Sequence, residues 1–215
     1  MDSGLPRSDS SLSGEVAEAR RALEVSLTIR DPAQAENEAS FLAYDALVLR
    51  GEGRLKDALA TADQALALVG QTSIRTTWSK LALTVGLDAA VSLGDDAKVE
   101  ELLGLIEALP PGHSSPWLRA IGARYSANRA AGHDDAVTAE AGFVAAEDVY
   151  RSIPFPLELG ETQVEYAEWL ASVGRGDEAE PLLAEAEELF GPLRATPWLE
   201  RIASCRAGTP AVTTA

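Results

Sequence analysis

Small and apolar residues recur at fixed distances from a series of glycines along most of the chain. Gly53 is followed by Ala58 five residues on and Ala65 twelve residues on, Gly94 by Val99 and Ile106, Gly132 by Val137 and Val144, and Gly174 by Ala179 and Ala186. Seven residues before each glycine stands Ala46, Leu87, Tyr125 or Ala167, and the glycines lie 41, 38 and 42 residues apart. A period of about forty with recurring landmarks predicts a stack of helical hairpins, each burying a face against its neighbours. The glycine suits the end of the first helix of a pair, where the chain turns left-handed without a Cβ penalty. Asp95, Asp96, Asp134, Asp135 and Asp177 follow closely and can accept hydrogen bonds from the N–H groups that open the second helix. Asp177 and Glu180 spell a D-x-x-E capping box. Paired alanines permit close helix approach, so the bulk of Tyr125 predicts a splayed or offset third pair.

Caps and apolar period place about ten helices and no strands. They cover 15–29, a second helix opened by Asp31-Pro32 with Gln34 and reaching 50, then 55–69, one opened by Thr72 or Ser73 and reaching 93, and 96–109. The next is opened by Ser115-Pro116 and reaches 131; then come 135–153, stopped by Pro154-Phe155-Pro156, 157–173, 178–190, and a last helix from Thr196-Pro197 to 206. One all-α repeat domain over 14–206 is expected, between a polar leader, 1–13, and a tail, 207–215, both disordered. The last helix sets Trp198, Leu199 and Ile202 against Glu200, Arg201, Ser204 and Arg206, as a solvating cap would. At the other end, Gly14 with Ala19 and Ser26 reads as a half repeat whose first helix is missing. The bulky stripe Val16, Leu23 and Leu27 is expected to cover the second helix pair, leaving Ala19, Ala22 and Ser26 outward. Either the leader folds over that stripe, or two chains pair weakly through their N-terminal ends.

Composition narrows the function classes. The net charge is −16, with 34 acidic against 18 basic residues, the wrong sign for tracking nucleic-acid phosphates. A basic partner fits this charge, and so does a merely solvating surface. Fifteen arginines against three lysines, with abundant alanine, point to a GC-rich bacterial genome. No apolar run reaches the roughly twenty residues of a membrane span, and no secretory leader is apparent. A cytoplasmic protein is expected. The single cysteine, Cys205, excludes an intramolecular disulfide.

Motifs for phosphate loops, dinucleotide folds, zinc proteases, redox cysteines and nucleophile elbows are absent. His133 beside Asp134 and Asp135 resembles a metal-site fragment, but the aspartates read first as helix caps. Arg201 and Arg206 could lower the pKa of Cys205, with no histidine near it in sequence to make it a nucleophile. No catalytic residue, cofactor or metal is expected, and the four tryptophans read as packing anchors.

The landmarks resemble the tetratricopeptide repeat with longer, looser periods. The segment ETQVEYAEWLASVGRGDEAEPLLAEAEELF (161–190), closing on ATPWLER (195–201), is similar to the C-terminal repeat region of large bacterial signalling ATPases, among them nucleotide cyclases and transcriptional activators. The likeness covers 161–202 well and 31–206 loosely. It implies a right-handed superhelical array of antiparallel helix pairs that senses a partner and restrains a catalytic head. No P-loop, cyclase or helix-turn-helix segment is in this sequence, so none of those activities is assigned.

In that repeat geometry, residues thirteen, ten, six and three before each glycine line the concave face. These are Ser40, Ala43, Leu47 and Arg50; Leu81, Thr84, Asp88 and Val91; Arg119, Gly122, Ser126 and Arg129; and Glu161, Val164, Glu168 and Ala171. The expected partner-binding residues are Arg50, Thr84, Asp88, Arg119, Ser126, Arg129, Glu161 and Glu168, a face running from basic to acidic. The lysines and asparagines of the family's peptide-carboxylate clamp are missing at these positions. The expected function is a non-catalytic interaction or regulatory scaffold for a protein or peptide, with no nucleic acid or membrane partner. A small-molecule effector sensor of the same architecture is the alternative.

Overall fold

The computed structural model of the chain describes residues 9–28, 33–69, 76–110 and 112–208, and every regular element among them is an α-helix. Ten helices follow in order: α1 (Asp9–Ser26), α2 (Ala35–Gly51), α3 (Leu55–Val69), α4 (Thr77–Leu93), α5 (Asp96–Glu107), α6 (Pro116–Gly132), α7 (Ala136–Ser152), α8 (Pro156–Ser172), α9 (Gly176–Leu193) and α10 (Thr196–Arg206). The chain divides into two compact units, with the division between residues 105 and 106 near the end of α5. A single domain was expected; repeats that touch only their neighbours partition readily, because few contacts link distant parts of the chain. Residues 1–8 of the expected leader, Asp31-Pro32, Thr72 and Ser73, and 209–215 of the tail lie outside the described residues. The backbone of 9–13 is helical, so α1 starts six residues before the expected Glu15.

Left-handed residues mark the ends of the first helices: Gly53 at φ 73°, Gly94 at 67°, Asp134 at 59° and Gly174 at 80°. These positions are 41, 40 and 40 residues apart, a tighter period than the glycines give. In the third pair the landmark is therefore Asp134, and Gly132 is only the last residue of α6. Aspartate can take this conformation because its short polar side chain bonds locally. Counting from Asp134, the residues at minus seven, plus five and plus twelve become Ala127, Ala139 and Ala146, all fully buried. The expected Val137 is 82% exposed, and Val144 is exposed as well. In the other three pairs the expected residues Ala46, Leu87 and Ala167, Ala58, Val99 and Ala179, and Ala65, Ile106 and Ala186 are buried as expected.

The third pair is close, not splayed. A Cβ placed on Gly142 of α7 would stand 2.8 Å from the Ala127 Cβ and 3.0 Å from the Ala123 carbonyl oxygen, so the two helices cross where neither carries bulk. Between α8 and α9, Gly160 leaves the same kind of space to the Phe190 ring, 2.8 Å from where its Cβ would be.

Several caps form as the residue types require. Asp95 accepts from the Lys98 N–H, Asp135 from Thr138 and Ser115 from Leu118, while Pro116 and Pro156 occupy first-turn positions. Two expectations shift. Thr76 caps α4 by accepting from the Ser79 N–H. Asp177 forms no capping box, because α9 already starts at Gly176 and Glu180 is held by Arg206.

Within the first unit, α1 lies on α2, and α2 packs against both α3 and α4. Leu23 is buried, Val16 packs against Gly51, and Arg20 reaches both Asp45 and Glu52. The bulky stripe thus faces α2 as expected, except that Leu27 lies exposed beyond it; Ala19 and Ala22 are outward. Within the second unit, α7 packs against α6 and α8, α8 against α9, and α10 closes on α8 and α9. Ile202 is buried there, and Trp198 stacks on Phe190 at 5.6 Å.

Candidate functional site

The surfaces at issue are those of the first helices, at thirteen, ten, six and three residues before each left-handed residue. With Asp134 as the landmark, α6 contributes Ile121, Arg124, Asn128 and Ala131. Arg119, Ser126 and Arg129 stand two residues out of phase with their supposed equivalents. Arg119 is exposed and donates to the Ser114 carbonyl at 2.9 Å. Ser126 and Arg129 line an open cleft of about 300 Å³ together with Ala130, His133, Asp135 and Thr138.

In the second unit this surface is closed by ion pairs. The Arg124 side chain is 1% exposed and donates through Nε and Nη2 to the two carboxylate oxygens of Glu165, at 2.7 and 2.6 Å. Its Nη1 donates to Glu161 at 2.7 Å, and Asn128 adds a bond to Glu165 at 2.8 Å. Burial works against the charge of Arg124, and the carboxylates of Glu165 and Glu161 outweigh it, so its pKa lies well above the ordinary arginine value. Burial likewise works against the Glu165 carboxylate, yet Arg124 and Arg201 hold its pKa below the ordinary range. One helix further on, Arg201 of α10 grips Glu168 of α8 with bonds of 3.0 and 2.6 Å and lies 4.4 Å above the Trp198 ring. The polar edge of α10, expected to be merely wet, is a latch.

In the first unit the same surface is open. Arg50 of α2 forms an ion pair with Asp88 of α4. Thr84 spends its hydroxyl on the Lys80 carbonyl of its own helix, at 3.0 Å. Around them lie Tyr44, Leu47 and Val91, 46%, 37% and 37% exposed, beside the half-buried Trp78 and Leu81. The Tyr44 and Trp78 rings meet edge to face at 5.3 Å.

Of the eight expected residues, the structure joins Arg50 to Asp88 and engages Glu161 and Glu168 with arginines of their own unit. It removes Arg119, Ser126 and Arg129 from the surface. The basic-to-acidic gradient therefore does not form. Arg124, Asn128, Glu165 and Arg201 were missed, and the αL-compatible Asp134 was the signal that would have placed the first two.

Cys205 is half-buried, and its pKa is raised, first by burial and then by Glu168 and Glu180. The expected lowering by Arg201 and Arg206 is outweighed because those cations are themselves engaged by Glu168, Glu180 and Glu187. Among the described residues no three His, Cys, Asp or Glu side chains are grouped to hold a metal, and no helix is long and apolar enough to cross a membrane. No protein-family model, curated protein or solved structure matches the chain.

Proposed function

We infer that the chain is a non-catalytic scaffold of tetratricopeptide-like helix pairs, stacked as a right-handed superhelical array, that binds a protein or peptide through its first helices. Regulation of a bacterial signalling protein in the cytoplasm is the role that best suits such a module. The observation that carries this reading is the recurrence of one cross-helix offset. Arg50 meets Asp88, Asn128 meets Glu165, and Arg124 meets Glu161. In each of these three pairs a residue meets one three positions earlier in the following first helix, counted from the left-handed residues, whereas the two-bond Arg124–Glu165 pair falls one position later. Equal offsets in separate units are what a repeated stacking rule produces. Display of random peptides against the full chain tests the reading: saturable binders in one-to-one stoichiometry support it, and their absence overturns it.

An effector-sensing role draws on a different observation, the cleft lined by Arg129, His133, Ser126 and Thr138. A small-molecule screen that raises the melting temperature, and loses the effect in Ser126→Ala, would favour that role over peptide binding. The outward Ala19 and Ala22 suit weak pairing of two chains through α1. Sedimentation showing a monomer at high concentration would remove that pairing.

A further inference from the structure

We propose that the α2–α4 surface of the first unit is the docking surface, and that its occupant is a helix with an apolar stripe flanked by basic residues. The proposal rests on the scaffold reading and names the part of the chain that does the binding.

Three observations select this surface over its equivalent in the second unit. First, its chemistry is apolar and aromatic. Tyr44, Leu47 and Val91 project into solvent, and the Tyr44–Trp78 ring pair makes a fixed shelf beside them. Tyrosine and tryptophan offer large contact area with few rotors to immobilise, which is why they dominate binding hot spots. In the second unit, docking would first have to separate buried charges from their partners.

Second, the residues have the form that receives a helix. Two neighbouring helices present side chains at helical spacing, Tyr44 and Leu47 on α2 with Leu81 and Val91 on α4. A partner helix fits such a seam through apolar residues at i, i+3, i+4 and i+7. Third, charge selects the flanks. Arg50 is engaged by Asp88 and presents no spare cation. Glu36 is exposed on the α2 stripe that continues through Ser40 to Tyr44, and the chain carries a net −16. Basic flanks on the incoming helix complement that field and speed its encounter, while acidic flanks are repelled.

The test uses the full chain and a labelled synthetic peptide about 18 residues long, roughly five helical turns, with leucines on one stripe and lysines elsewhere. A twin with glutamates for lysines and a twin with the leucine order scrambled are run alongside. The leucine–lysine helix should bind one per chain and more tightly than either twin. Leu47→Asp with Val91→Asp should weaken it by about tenfold or more, the scale of a hot-spot loss. The melting temperature should hold, because both residues are exposed. Arg119→Glu, off the surface, should leave binding unchanged. Absence of binding, equal binding by the double variant, or equal binding by the scrambled twin overturns the proposal. So does a dimer that the double variant abolishes, which would make a second copy of the chain the occupant. Peptides selected at random that bind wild type and double variant alike would sink this surface while leaving the scaffold reading standing. No saturable binder of any kind would sink both.

Discussion

The first helices carry different chemistry in the two units, although the same positions are involved. In the second unit Arg124, Glu161, Glu165 and Asn128 tie α6 to α8, and Arg201 with Glu168 ties α8 to α10. In the first unit the Arg50–Asp88 ion pair crosses from α2 to α4, and aromatic and aliphatic side chains stand in solvent around it. The contrast separates two uses of one scaffold position. A buried charge ladder adds little net stability over apolar packing, but it is costly to disturb and so fixes one arrangement of helices. The exposed part of an apolar seam adds little to its own fold and gains when something covers it.

Breaking the ladder should have the largest effect. Arg124→Ala leaves Glu165 and Glu161 without their cation, and urea unfolding should show a loss of about 3–5 kcal/mol. The matching change in the first unit, Arg50→Ala, should cost about 1 kcal/mol or less, because that pair is partly exposed. Equal losses would mean that the two surfaces are alike. Combining Arg124→Met with Glu165→Leu and Glu161→Gln should recover most of the Arg124→Ala loss, since no charge is then stranded.

The repeat phase is the next thing to challenge. Ala139→Leu and Ala179→Leu should each cost about 1–3 kcal/mol by overpacking a buried crossing. Val137→Ser, at a residue 82% exposed, should leave the melting midpoint nearly unmoved. The reverse ranking would restore Gly132 as the landmark.

Acid should act through the ladder as well. The Glu165 pKa is depressed in the folded chain, so its contribution is complete above the unfolded value of about 4.3 and lost as pH falls through the lower folded value. Glu165→Gln should flatten that part of the stability profile, and an unchanged acid limb would place the sensitivity elsewhere. A small effect of the opposite sign is expected at Tyr150. Its hydroxyl is buried in the second unit with no hydrogen-bond partner among the described residues, and burial pushes its pKa up. Tyr150→Phe should therefore raise stability by about 1 kcal/mol in urea unfolding, and a loss would mean that the hydroxyl is paired.

The sequence made the helices legible because their caps and turn residues act locally. Ser115-Pro116 and Asp135 do their work within one turn, and each lies where its residue type predicts. The third pair was misread because Gly132 advertised a left-handed turn that Asp134 makes, and glycine is only the commoner choice there. That slip of two residues exchanged Arg124 for Gly122 and Asn128 for Ser126. Glu161 read as a partner-binding residue of the first-helix face, and nothing local distinguished Glu165 four residues on. Their burial depends on an arginine 37 and 41 residues away, a relation that local periodicity does not carry. Asp177 and Glu180 show the opposite failure, a well-spelled capping box displaced because α9 starts two residues early and Arg206 takes the glutamate.

The space that Gly160 leaves has a consequence in time as well as in geometry. Phe190 presses against that glycine on one side and stacks on Trp198 at 5.6 Å on another, so its ring has no slack in which to turn. A half-turn of the ring needs α8 and α9 to part briefly, or α10 to lift. The flip rate of Phe190 is thus a built-in clock for the breathing of the second unit, readable from the exchange of its ring proton resonances. Loosening the α10 latch with Arg201→Gln should make that clock run faster well before the helices melt.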